Sequence, residues 1–406
     1  MGVFDTMNLD KSQQSAVDFA TTKPQLAVIT GPAGTGKTTV IKHIADNFGG
    51  DCYIMAPTGK AAARIKQVTG YEAKTCHSYL RWDGTRFHRK ENFNSPVIID
   101  EASMLDGWLL SQIIRFRPPS VVLVGDSNQL LPVGRGQPFH DLVKIEESVC
   151  RLDVNHRAKS AILHASSCIR RGEMPAAKIE SGGEVWSCIW SRCTEDMMAK
   201  LIDWCKRGQF DPERDVVIAA KYGNDDNDGG IDSLNTAIRS VVNPHATDNK
   251  FQIGDRILVC KNFGEDDLWN GDTGTVRDID YRGNPKVVID RDPEFARDLT
   301  GAQVRETRLG YALSVHKAQG SEFRRVFFVC PDQHFHMLDR SLIYTAVTRA
   351  QEGCVVMGSR RAFEDGIGKI NCKTTVLGWL ENERLNYGRI KNRHQDIDGE
   401  ARRKTV

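Results

Sequence analysis

Gly31-Pro32-Ala33-Gly34-Thr35-Gly36-Lys37-Thr38 is the stretch on which the reading of this chain turns. It is a G-x-x-x-x-G-K-T phosphate-binding loop, and its flanks fit the structure such a loop needs. Gln25 to Thr30 (QLAVIT) reads as a short apolar strand before it. After it, Thr38 to Phe48 carries Val40, Ile41, Ile44, Ala45 and Phe48 at helical spacing. Glycines let successive backbone N–H groups turn inward around phosphate oxygens, where a side chain would block approach. The start of the helix adds partial positive charge. Lys37 is placed to reach the β- and γ-phosphates, and the Thr38 hydroxyl to hold Mg²⁺. A Gly-rich turn with a solvated lysine would need neither strand nor helix beside it. The stretch predicts a nucleoside triphosphate site.

The 406 residues exceed one small domain and suggest two or three. With 40% hydrophobic and 27% charged residues, the composition is that of a globular chain with a sizeable core. No apolar run approaches the ~20 residues of a membrane span. The first residues, MGVFDTMNLDKSQQ, lack the regions of a signal peptide, so a cytosolic protein with no membrane partner is expected. Eleven cysteines occur without a C-x-x-C pair, Cys188 and Cys193 being the nearest two. Scattered cysteines in such a chain are mostly small buried apolar residues, and no structural zinc is expected. The net charge of +2 neither demands nor excludes a polyanionic partner, since a groove can be basic on a neutral protein.

Outward from the loop, Leu9, Gln13, Ala16 and Val17 precede the first strand. They form one face of a helix, or Gln13 reads an adenine edge through its carboxamide; spacing leaves both open. Residues 52–56 (CYIMA) form a second strand ending at Pro57-Thr58-Gly59-Lys60. That turn offers free N–H groups and a hydroxyl, which suit a phosphodiester backbone. Thr75-Cys76-His77 follows as a further polar contact or an ordinary structural turn. In residues 81–94, Asp83-Gly84 is a hairpin signal between Arg81-Trp82 and Arg86-Phe87-His88. Two short strands with arginines and aromatics suit nucleic acid; a packed Phe87 that only stiffens the hairpin is the equal alternative.

Val97-Ile98-Ile99-Asp100-Glu101 is an apolar strand ending in two carboxylates. Asp100 can hold the Mg²⁺ through water and Glu101 can polarise an attacking water, so hydrolysis is expected with binding. Val121 to Asp126 is the next buried strand, with Asn128-Gln129 after it where a γ-phosphate sensor would sit. Four apolar strands separated by helical stretches predict a parallel α/β sheet with its site at the strands' C-terminal ends. After about residue 150 the pattern restarts. Asp215 to Ala220, Val326 to Cys330 and Cys354 to Met357 read as strands, with a helix near Ser341–Ala350. The Asn224–Gly230 run reads as a solvated loop, and the basic tail from Arg384 as a solvated end. Between these parts, Phe251 to Cys260, Gly274 to Tyr281 and Lys286 to Asp290 alternate as short strands and predict a small inserted barrel.

Together these blocks resemble the superfamily 1 helicases, specifically the 5′-to-3′ branch typified by RecD and the phage Dda helicase. Leu9-x-x-x-Gln13 resembles the Q motif, Gly31–Thr38 motif I, Ala56-Pro57-Thr58-Gly59-Lys60 motif Ia and Thr75-Cys76-His77 motif Ib. Asp100-Glu101-Ala102-Ser103 resembles motif II, and Gly125 to Pro132 motif III. Leu313 to Glu322 resembles motif V and Tyr344 to Ala350 motif VI. Asn155-His156-Arg157 stands where motif IV belongs but departs from the commoner Tyr/Phe-Arg-Gln form.

The resemblance implies two RecA-like domains with ATP between them: 1–80 with 95–150, and 151–245 with 307–406. It makes 81–94 a small hairpin insertion and 246–306 an SH3-like insertion, in which Asn270-Gly271-Asp272 also looks like the family. It implies a catalytic set of Lys37, Asp100, Glu101, Gln129, Arg157 and Arg349, the two arginines as fingers. ATP would be held by Gln13, Gly31, Pro32, Ala33, Gly34, Thr35, Gly36, Lys37, Thr38, Thr39 and Glu322, with Mg²⁺ on Thr38 and Asp100. DNA would be held by Pro57, Thr58, Lys60, His77, Phe87, Ser314, His316 and Lys317. The implied activity is ATP-driven 5′-to-3′ movement on single-stranded and forked DNA in replication, recombination or repair. The implied protein is a monomer in a bacterial or phage-infected cell, with a single-strand-binding or replication protein as a candidate partner. A single-strand translocase, an RNA helicase or, further off, a non-motor NTPase switch are the alternatives.

Overall fold

Runs of β-branched residues buried on both faces build the first sheet of the chain's computed structural model, which describes residues 9–22, 25–154, 160–223, 229–244 and 250–373. Its strands are β1 (Leu26–Thr30), β2 (Tyr53–Ala56), β3 (Ala73–Thr75), β4 (Val97–Ile99), β5 (Val121–Gly125) and β6 (Val149–Arg151). All pair in parallel, in the order β3-β2-β4-β5-β1-β6. The helices are α1 (Lys11–Thr22), α2 (Lys37–Asn47), α3 (Gly59–Thr69), the single turn α4 (Cys76–Tyr79) and α5 (Gly107–Arg115). Val17, Ile41, Ile44 and Ile65 from the first three helices cover one face of the sheet. Leu109, Leu110 and Ile113 of α5 cover the other. Each fully buried isoleucine contributes roughly 1.5–3 kcal/mol by leaving water. Because every strand points the same way, the loops after β1, β2, β4 and β5 open on one edge.

The second half begins with β7 (Lys178–Ser181), β8 (Glu184–Trp190) and β9 (Asp215–Ala219). The chain then leaves to form β10 (Arg256–Val259), β11 (Thr273–Ile279), β12 (Pro285–Ile289), β13 (Asp292–Asp298) and β14 (Thr307–Leu309). These five make an antiparallel sheet, β13-β12-β11-β10-β14, over a small core of its own that includes Phe251, Ile257, Val276 and Val287. The chain returns with β15 (Ala312–Ser314), β16 (Phe323–Cys330) and β17 (Ala350–Gly358). The second sheet runs β15-β9-β16-β17-β8-β7, parallel except for the β7–β8 hairpin. A parallel α/β core is thus present in each half.

Several details depart from the sequence reading. Strands β3 and β6, three residues each, and the edge hairpin β7–β8 carry too little apolar periodicity to stand out. The inserted strands form an open sheet, with no pairing between β13 and β14 among the described residues. The expected two-stranded hairpin at 81–94 reduces to one bridge, Trp82 with Phe87. Asp83 shapes that turn with its own carboxylate, accepting from the Thr85 and Arg86 N–H groups at 2.7 and 2.9 Å, while Gly84 takes a φ of 103°.

Candidate functional site

Strand β1 delivers the chain to the phosphate loop at one edge of the first sheet. Gly34 and Gly36 take φ of 84° and 75°, where a side chain would be strained, and α2 starts at Lys37. The Lys37 ammonium donates to the carbonyls of Gly31 and Pro32 at 2.9 and 3.0 Å, so it spans the loop mouth. Gln13 braces the loop from behind. Its amide donates to the Thr35 carbonyl at 3.2 Å and its oxygen accepts from the Asp10 N–H at 3.1 Å. A Cβ on Gly36 would sit 2.4 Å from the Gln13 nitrogen. The carboxamide therefore works on the protein's own backbone here.

Two strands away, β4 ends at Asp100 and Glu101. Asp100 is buried and accepts from the Glu101 N–H at 2.8 Å. Burial first, then the neighbouring Glu101 charge, push its carboxyl up to about 7, against the pull of Lys37 and Arg64. Glu101 holds a left-handed φ of 49°, unusual for a side chain of its size, and its Oε2 is buried without a hydrogen-bond partner. An orphaned carboxylate oxygen beside a second buried carboxylate is a donor set that suits a hard divalent cation and its water.

The second half closes over this edge. The Tyr344 hydroxyl donates to Asp126 at 2.8 Å, and the Leu130 N–H donates to the Thr345 hydroxyl at 3.0 Å. Asp126 uses its other oxygen to order Asn128, at 2.9 Å from both N–H and amide, with Gln129 buried next to it. Glu322 pairs with Arg64 of α3 at 2.9 Å and accepts from Gln351 at 3.1 Å. Arg349 is buried within its own half, donating to the carbonyls of Thr345 and Ser321 at 3.1 and 3.4 Å and to the Thr348 hydroxyl at 3.3 Å. A cavity of about 200 Å³ remains between Pro32 and Thr35 on one side and Arg170 and Tyr344 on the other. Arg157, with Asn155 and His156, lies outside the described residues.

The residues assigned to a nucleic-acid strand fall into two groups. Thr58 caps α3, accepting from the Ala61 N–H at 3.2 Å, and Ser314 accepts from the Lys317 N–H at 3.3 Å. Lys60 donates to the Gly271 carbonyl at 3.3 Å, and Lys317 to the Asn270 side chain. Burial lowers the Lys60 pKa, partly offset by Asp272 and Asp290. The Trp269 ring lies on Gly59, where a Cβ would come within 2.5 Å of it. The inserted sheet thus touches both halves at these lysines. His77 forms the second group with Trp82 and Phe87, at ring distances of 6.0 and 5.9 Å. Burial lowers the pKa values of both His77 and His316. Phe87 is half-buried and packs on Trp82 at 4.7 Å, as the packing alternative expects. Sequence reasoning passed over Arg64 and Trp269, which each meet a partner distant in sequence, and Arg170, which lines the cavity beside Tyr344; no local pattern marks them.

Comparison with known proteins agrees with this geometry. Residues 8–186 match the AAA domain family and residues 309–357 the UvrD-like helicase C-terminal domain. The ATP-dependent RecD2 DNA helicase of Deinococcus radiodurans is 32% identical over 357 residues, covering 84% of this chain and 48% of the relative. The RecBCD enzyme subunit RecD of Mycolicibacterium smegmatis is 28% identical, covering 87% of this chain and 72% of the relative. The chain thus spans about half the length of the first relative. In fold it is similar to a Pif1 helicase from Bacteroides solved with ADP-AlF3 and ssDNA, at a TM-score of 0.56 and 18% identity, covering 94% of this chain and 98% of that one. Among the described residues, no helix is long and apolar enough to cross a membrane. In sequence the chain is thus similar to the RecD helicases, and in fold to Pif1.

Proposed function

We propose that the chain is an ATP-dependent DNA helicase that moves 5′ to 3′ along one strand and unwinds the duplex ahead. One observation carries the reading: the phosphate loop and Asp100-Glu101 face Glu322 and Tyr344 across a single cleft, with Arg64 and Glu322 paired over it. Hydrolysis in that cleft and movement of the halves are then one process. In this reading residues 1–80 with 95–150 and residues 151–245 with 307–406 are the two RecA-like domains. Residues 81–94 and 246–306 are insertions, the second SH3-like.

Lys37 exchanges its two carbonyl partners for the β- and γ-phosphates as ATP enters. Thr38 and Asp100 would hold Mg²⁺, which would supply positive charge against the phosphates. Glu101, with its free oxygen, orients and deprotonates the attacking water. Gln129 senses the γ-phosphate. Arg349 leaves its carbonyls to meet developing phosphate charge when the cleft closes, with Arg157 as second finger. Lys60 and Lys317, one from each half, grip the strand alternately.

The test is ATP turnover with no nucleic acid, with single-stranded DNA and with single-stranded RNA, followed by unwinding of 5′-tailed and 3′-tailed duplexes. DNA-stimulated turnover and unwinding of the 5′-tailed duplex alone are expected. Stimulation by RNA alone makes it an RNA helicase, a 3′-tail preference reverses the polarity, and no stimulation removes the motor reading.

A further inference from the structure

Helix α5 buries Leu109, Leu110 and Ile113 in the first sheet, which turns Trp108, Gln112 and Arg115 outward at helical spacing. Trp108 is 48% exposed, a large apolar ring left facing water. It stacks on Phe87 at 5.1 Å with 29° between planes and meets Trp82 edge-on at 5.9 Å. His77 contacts the same two rings but not Trp108. Trp82 and Phe87 therefore form a partition, with His77 on one side and Trp108 on the other.

On the Trp108 side lies a cavity of about 560 Å³ between α5 and the hairpin, with no carboxylate in its lining. Arg86 and Lys90 enter from the hairpin and Arg115 from α5. Arg89 is spent on the protein, donating to the Glu91 and Tyr79 carbonyls at 2.9 and 3.2 Å and lying 3.7 Å over Phe93. Arg86, Lys90 and Arg115 make no side-chain hydrogen bond or ion pair among the described residues. Three like charges gathered without a counter-ion, beside an exposed indole, cost free energy that a polyanion with flat rings removes.

We propose that this cleft is a second DNA site, which holds the displaced single strand: phosphates on Arg86, Lys90 and Arg115, and one base stacked on Trp108. The proposal rests on the helicase reading. The strand being tracked lies on the His77 side in that reading, so the far side of the ring partition faces the other strand. Holding that strand away from its complement opposes re-annealing behind the fork.

The experiment compares the full chain on two substrates, a 5′-tailed duplex and the same duplex with a single-stranded arm on the displaced strand, by fluorescence anisotropy. Trp108→Ala is expected to weaken binding to the armed fork roughly 5- to 150-fold, the range for one stacked base, and Trp108→Phe to recover most of it. Lys90→Ala with Arg115→Ala, both at exposed positions, is expected to reduce the salt dependence of armed-fork binding by ~0.7 per cation removed. Affinity for the arm-free duplex and DNA-stimulated ATP turnover stay unchanged. Equal losses on both substrates assign the cleft to the tracked strand and overturn the proposal. Unchanged binding in the double-charge variant overturns it also, even if Trp108→Ala proves unstable. Failure of the helicase reading is separate: the wild-type chain then shows no DNA-stimulated turnover.

Discussion

Glu101 carries two costs at once, a left-handed backbone and a buried oxygen with no donor. Neither is needed to end a strand, and a glycine would relieve both. Such strain persists where a side chain must be aimed, here at the space beside Asp100 and the phosphate loop. Glu101→Gln keeps shape and backbone but removes the proton acceptor. ATP affinity is expected within a few-fold of wild type, measured with a fluorescent analogue, while turnover falls about 10²- to 10⁴-fold. Near-normal turnover would take the base role away from this residue. Lys37→Ala acts differently, since that ammonium also ties the loop's own carbonyls. Its loss is expected to weaken nucleotide binding together with turnover.

At the scale of elements, the Trp269–Gly271 loop of the inserted sheet occupies the two lysines that the proposed function gives to the strand. Under that proposal, DNA binding breaks those bonds and the loop competes with the strand. Asn270→Ala removes the acceptor on Lys317 and is expected to tighten single-stranded DNA binding about 2- to 10-fold, the worth of one hydrogen bond. Weaker binding would show that Asn270 itself holds the strand. A second element-scale feature is the start of β9, where Asp215 is buried and accepts from Arg324 at 2.9 Å and from Arg325 at 3.1 Å. Burial alone would raise its pKa, yet the two guanidinium groups hold it below the usual carboxylate range. A folded value below the unfolded ~3.9 adds stability above that pH, lost as pH falls through the folded value. Asp215→Asn is expected to cost roughly 2–4 kcal/mol in denaturant unfolding at pH 7, because both arginines stay partly hydrated. The gap should shrink below about pH 4; a constant gap would assign the loss to packing.

Over the whole molecule, the parts readable from sequence are those whose signal is local. Gly31–Thr38 and the run Val97–Glu101 each carry strand, turn and chemistry within a dozen residues, and both stand where the periodicity places them. What joins the halves is not local: Lys60 and Gly271 meet 211 residues apart, and Tyr344 reaches Asp126 across 218. The polarity of such a contact depends on how two sheets dock, which no window of sequence contains. That Tyr344–Asp126 bond is also the best lever on cleft motion. Asp126 is fully buried, and removing the hydroxyl leaves one carboxylate oxygen without its donor. Leaving a buried acceptor unpaired costs ~1–3 kcal/mol, and opening the cleft lets water restore it. Tyr344→Phe is therefore expected to favour the open arrangement and to speed release of a fluorescent ADP analogue by about 5- to 150-fold in stopped flow. DNA-stimulated turnover should fall with it, since the proposed finger from the second half would act only on a closed cleft. Release at the wild-type rate would mean that other contacts, Arg64 with Glu322 first among them, hold the halves together.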